Sequence, residues 1–98
     1  MSQYVLSARA AHDVRQIGTY TQARWSETQA VQYLQGLHEK LKQLAQAPDT
    51  LGRPRDDLKA GYYSSLYESH VIFFTKQKDG IRIIRVLHQR RDIPQQLK

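Results

Sequence analysis

The chain has 98 residues, 24% of them charged and 40% hydrophobic, and a net charge of +6. That balance excludes a disordered acidic tail, a collagen-like repeat and a coiled-coil rod, and the length suits one domain over residues 1–98. No run approaches the ~18 apolar residues of a membrane span, and with no cysteine there is neither a disulfide framework nor a thiolate metal site.

Met1 to Leu6 lacks a basic start followed by a long apolar run, so a secretory leader is not expected and a cytoplasmic location is. Within this stretch Tyr4, Val5 and Leu6 predict a first strand. Ser7 is placed to cap a helix, because its hydroxyl accepts an orphan N–H. Ala10, Val14, Ile17, Thr21 and Trp25 follow at spacings of three and four, the stripe of an amphipathic helix, with Gly18 allowing a neighbouring helix to come close. Ser26 opens a second helix with Gln29 three positions on, a capping box, and Ala30, Tyr33, Leu34, Leu37, Leu41 and Leu44 form its stripe until Pro48. The break between the two is very short, so residues 8–46 are expected to form an antiparallel helical hairpin.

Asp49 to Gly61 reads as a charged loop. The period then switches to two. Strands are predicted over Tyr62–Tyr67, His70–Thr75 and Ile81–His88, with Glu68-Ser69 and Lys78-Asp79-Gly80 as turns. Helices first and strands afterwards give an α+β fold: an N-terminal strand, a helical hairpin, then a three-stranded antiparallel meander in one sheet. Large apolar residues occupy both faces of the last strand. One face packs on the helices, and the other is expected to expose an apolar surface for a partner, unless the tail covers it.

The charge is uneven. Residues 76–98 hold seven basic and two acidic side chains, so nearly all of the positive field lies in the last quarter. Such a field suits an acidic protein or nucleic acid as partner, or is simply a solvated edge. His88-Gln89-Arg90-Arg91-Asp92 follows a buried strand, and arginine there offers a fork for carboxylate or phosphate. No catalytic motif stands out: there is no phosphate loop, no nucleophile elbow and no paired zinc histidines. His12, His38, His70 and His88 are scattered, so no metal and no cofactor are expected. His12 and His38 read as solvated, His70 and His88 as structural. Tyr62, Tyr63 and Tyr67 read as packing residues rather than as base-stacking platforms, so direct nucleic-acid binding is not expected.

The sequence resembles the ParE branch of the RelE/ParE superfamily of bacterial type II toxins over essentially its whole length. The resemblance rests on Tyr4-Val5-Leu6-Ser7, Ile17, Tyr20 and Trp25, then Leu51-Gly52-Arg53-Pro54-Arg55 with Asp56-Asp57-Leu58. It continues through His70-Val71-Ile72-Phe73-Phe74 and Ile84-Arg85-Val86-Leu87-His88-Gln89-Arg90-Arg91-Asp92. It implies a helical hairpin on an antiparallel sheet, a cognate ParD-like or related antitoxin whose C-terminal segment wraps the toxin, and inhibition of DNA gyrase. Higher-order toxin–antitoxin assembly is compatible with it. The ribonuclease branch, an mRNA interferase acting on ribosomes, is the alternative. That branch typically carries an Arg on the strand that here reads His70 to Thr75, and a Tyr at the end of the last strand. This chain has Val71 after His70 and no Tyr beyond Tyr67, so a non-enzymatic action is expected. Target contact is assigned to His88, Arg90, Arg91 and Arg53, and antitoxin contact to Tyr62, Tyr63, Leu66, Phe74, Ile83 and Arg85.

Overall fold

The structure, a computed structural model, describes residues 3–91 and 93–97. Strand β1 (Gln3–Leu6) leads into helices α1 (Ala8–Arg24) and α2 (Glu27–Gln46) and a single turn, α3 (Pro48–Leu51). Strands β2 (Arg53–Pro54), β3 (Tyr62–Tyr67), β4 (His70–Gln77) and β5 (Gly80–His88) follow, and a short helix, α4 (Ile93–Gln96), ends the chain. The helices start where their caps predict. The Ser7 hydroxyl accepts from the Ala10 amide, and the Ser26 hydroxyl from the Gln29 amide, each at 3.0 Å. Gly18 lets the hairpin close, since a Cβ there would lie 3.1 Å from Leu34 Cδ1. Trp25 departs from its expected stripe. It sits at the α1 C-cap with φ −120° and ψ −82°, so the chain has left the helix, and the indole is 68% exposed.

The sheet has five strands in the order β1-β5-β4-β3-β2, not the four expected. The added strand is β2, whose Arg53 and Pro54 pair with Ser64 and Tyr63 inside the stretch read as loop. β3, β4 and β5 form the antiparallel meander, and β1 lies parallel against the first half of β5, with Gln3 opposite Gly80 and Leu6 opposite Ile83. The β4–β5 turn consists of Lys78 and Asp79, because Gln77 already pairs with Gly80. Gly80 has φ +153°, and a Cβ there would lie 1.7 Å from the Gln3 carbonyl oxygen, so only glycine lets β1 reach its partner.

Between Phe73–Arg85 and Phe74–Ile83 the register slips, leaving Ile84 as an extra residue in β5. Side chains on β5 therefore change phase at this bulge. Ile81, Ile83 and Val86 join Ile72 and Phe74 against Ala10, Ile17, Leu37, Leu41, Leu44 and Ala45 of the helices. Phe73 and Leu87 lie on the opposite face, and they too are buried, at 0% and 2% exposure. This corrects the expectation of an open apolar sheet face. The Arg55 guanidinium stands 5.9 Å over the Phe73 ring, held there by Asp57 and Ser64. The tail returns to the same side, where the Gln96 carbonyl accepts from Arg85 Nη1 at 2.9 Å. On that face Leu66 stays largely open, at 56% exposure.

One buried polar cluster ties α1 to β5. Asp13 accepts from Arg85 Nε at 2.7 Å, from Arg85 Nη2 at 3.0 Å and from the Val86 amide at 3.0 Å. β1 ends opposite Ile83, so the edge of β5 beyond it has no strand beside it; Asp13 supplies the acceptor that Val86 would otherwise lack.

Candidate functional site

The end of the sheet where β3 turns into β4 and β5 runs out carries the clustered chemistry. Glu68 adopts φ 51° in the two-residue turn that joins β3 to β4. The neighbouring Ser69 carbonyl accepts from the Gln89 amide at 2.9 Å, which fixes the exit of β5 against that turn. The chain then turns tightly: the Arg91 amide donates to the His88 carbonyl at 3.0 Å, and the Arg90 amide to His88 Nδ1 at 3.1 Å. With Nδ1 accepting, a neutral His88 carries its proton on Nε2. Arg90 and Arg91 are exposed on this fixed turn.

His70 and His88 are cross-strand partners, with ring centroids 5.4 Å apart at 80°. They share the helix side of the sheet with Ile72, and His70 meets α2 there. The Tyr33 hydroxyl shares a 2.6 Å hydrogen bond with His70 Nδ1, and the Tyr67 hydroxyl donates to the Tyr33 carbonyl at 3.1 Å. Burial above all, with the neighbouring His88 and Arg91 adding to it and a smaller opposing pull from Asp13, pushes the His70 imidazolium down to about 4. His70 is therefore neutral at physiological pH. Burial also raises the Tyr33 and Tyr67 hydroxyls above the ordinary phenol value. His38, read as solvated, is exposed but hydrogen-bonded through Nδ1 to the Tyr4 hydroxyl.

Of the residues expected to meet the target, the structure brings His88, Arg90 and Arg91 together on one turn. Arg53 is exposed on β2, three strands away from β5, which is about 14 Å at ordinary strand spacing. The six residues expected to meet an antitoxin do not form one surface. Phe74 and Ile83 are 0% exposed in the core beneath the helices, and Tyr63 stacks on Phe74 with centroids 5.6 Å apart. Arg85 is spent on Asp13 and Gln96, and the Asp13 hydrogen bonds hold its guanidinium still more firmly charged. Phe74, Ile83 and Arg85 are thus corrected to structural roles. Tyr62 and Leu66 remain on the face away from the helices. Asp13, which the sequence reading passed over, is the polar residue on which that corner depends; an acid flanked by apolar helix positions Ala10, Val14 and Ile17 was its one signal.

A helical hairpin packed on one mixed sheet is a fold this chain shares with solved structures of toxin–antitoxin complexes. A family profile described as "ParE toxin of type II toxin-antitoxin system, parDE" matches residues 4–93. The chain is 41% identical over 91 residues to Toxin ParE1 of Caulobacter vibrioides, covering 91% of each protein. It is 36% identical over 97 residues to Toxin ParE1 of Mycobacterium tuberculosis, covering 98% of each. Among solved structures, the chromosomal ParDE system from P. aeruginosa shares the fold with a TM-score of 0.74 at 21% identity, over 90% of this chain and 96% of that one. The YoeB-YefM complex from Staphylococcus aureus shares it at 0.61 and 18% identity, over 91% and 98%. The chain belongs to the ParE toxin family of type II toxin–antitoxin systems.

Proposed function

We propose that this toxin acts in the cytoplasm by binding a protein target, DNA gyrase, without catalysing a reaction, and that a ParD-like antitoxin silences it. Family membership supports the antitoxin; gyrase as the target rests on the resemblance to ParE toxins alone. The observation that favours binding over RNA cleavage is where the imidazoles lie. Cleavage through a 2′-hydroxyl needs an acid and a base beside a cation. On the sheet face away from the helices, β4 offers Val71, Phe73 and Thr75. His70 and His88 point to the other side, and His70 is held by Tyr33. Among the described residues, the face away from the helices thus gives Arg90 and Arg91 no imidazole to work with, while their forked donors suit carboxylates of a protein surface.

The test uses purified toxin in two assays. Gyrase-dependent supercoiling should be blocked, or gyrase trapped on cleaved DNA, while a reporter mRNA in a reconstituted translation reaction stays whole. Site-specific cleavage of that mRNA with gyrase unaffected would reverse the reading. The double change Arg90→Ala and Arg91→Ala should weaken growth inhibition while the melting temperature holds; full toxicity would reduce the turn to a solvated strand exit.

A further inference from the structure

A second basic feature lies away from the strand-end turn. A cleft of about 430 Å³ opens where the start of α1, the turn before β3, β5 and the tail meet. Arg9, Lys59 and Arg82 line it together with Tyr62, Ile84 and Leu97. These cations come from three separate parts of the sequence, and among the described residues no carboxylate lines the cleft with them. None of the three forms an ion pair among the described residues, whose pairs are Lys42–Glu39, Arg55–Asp57, Lys76–Asp49 and Arg85–Asp13. Lys59 Nζ instead stands 5.8 Å over the Tyr62 ring.

The volume falls within the ~300–1,000 Å³ of ordinary ligand pockets. Its chemistry is two-part: cations at the rim, and Ile84, Leu97 and the Tyr62 ring as apolar wall. A strand cannot add to β5 here, because Ser7 Oγ already donates to the Ile84 carbonyl and Asp13 already accepts from the Val86 amide. A ligand must therefore engage by its side chains. A nucleic acid would want a row of stacking rings along a cationic track, and the lining offers one ring, Tyr62, already under Lys59. An acidic peptide satisfies both parts.

We propose that this cleft docks an acidic peptide segment bearing a large apolar side chain, its carboxylates on Arg9, Lys59 and Arg82 and its apolar group on Ile84 and Leu97. On the reading above the segment belongs to the antitoxin, and to that extent the proposal rests on it. The probe is an acetylated, amidated hexapeptide of alternating glutamate and leucine, titrated onto the ¹⁵N-labelled full chain. Its lysine-for-glutamate counterpart and hexauridylate are run beside it. Amide shifts should concentrate at Arg9, Tyr62, Arg82 and Ile84. The change Arg9→Ala with Arg82→Ala should weaken the glutamate peptide about tenfold or more. The pair Arg15→Ala with Arg24→Ala removes the same charge from elsewhere on α1 and should leave the affinity nearly unchanged. Three outcomes overturn the cleft: no shifts at millimolar peptide, equal binding of the lysine peptide, or stronger binding of hexauridylate at the same amides. The antitoxin reading is scored separately, by whether a frame encoded beside this one rescues growth. Rescue without cleft binding sinks the cleft alone, and cleft binding without rescue sinks only the antitoxin as its occupant.

Discussion

Asp13 accepts three hydrogen bonds at a side chain that is 8% exposed, opposite an Arg85 that is 10% exposed. Removing one partner of a buried pair leaves an uncompensated charge and costs about 3–5 kcal/mol, whereas replacing both with apolar groups is often near neutral. Domains of this size have only about 5–15 kcal/mol in total. Asp13→Ala should therefore lower the urea midpoint steeply. Asp13→Leu with Arg85→Met should recover much of the loss but not all, because the Val86 amide still lacks its acceptor. A double variant no better than the single would show that the pair is not the cause. His70 supplies a second prediction. Its folded pKa of about 4 lies below the ordinary histidine value of 6.5. The unfolded chain thus binds a proton that the folded chain refuses. The contribution is complete above about pH 6.5 and is lost as pH falls through the folded value, at no more than about 1.4 kcal/mol per pH unit. Solvent reaching the ring reduces that figure. The groups that face it are His88, Arg91, Tyr33 and, more distantly, Asp13. Melting temperature should fall between pH 7 and pH 5, and His70→Phe should flatten the fall. An unchanged slope in that variant would place the titration elsewhere.

The helices were legible because each begins with a serine whose cap shows in the sequence, yet the two caps differ in what they hold. Ser26 accepts from Gln29 alone, and Ser26→Ala should cost about 1 kcal/mol. Ser7 accepts from Ala10 and also donates to the Ile84 carbonyl at 2.8 Å, joining α1 to β5. Ser7→Ala should cost about 1 kcal/mol more than that, since a part-buried carbonyl loses its donor. Urea unfolding of the two variants checks the order; equal midpoints would mean that water replaces the Ser7 bond to β5. The strands were legible as elements, but their faces were not. Strict alternation from Ile83 places Arg85 and Leu87 on its side, whereas the extra residue Ile84 sends Val86 there instead. A bulge has no mark in the hydrophobic pattern when residues on both sides of it are apolar. Ile83, just before the bulge, and Phe74 opposite it both turn inward to the helices. The basic turn at Arg90 and Arg91 was visible as a run of charge. The cleft was not, because Arg9, Lys59 and Arg82 meet only through the fold.

At the scale of the molecule, a small sheet domain gains from any partner that binds only its folded form. A saturating antitoxin, a thousandfold above Kd, would add about 4 kcal/mol. For a domain near 100 residues that raises the melting temperature by more than about 10 °C. Unchanged melting at saturation would mean that the partner binds folded and unfolded chains alike. The parallel pairing of β1 with β5 has a consequence of another kind, in the time taken to make the protein. Gln3 is synthesised 77 positions before its partner Gly80, and Asp13 waits 72 positions for Arg85. At about 5–20 residues per second the ribosome takes roughly 4–14 s to cover that interval. Until then neither β1 nor Asp13 has its partner to join. The strand-end turn of Arg90 and Arg91 is made later still. On the proposed reading, the nascent chain therefore lacks the turn that meets its target until synthesis has passed Arg91, and an antitoxin already present has those seconds in which to be waiting.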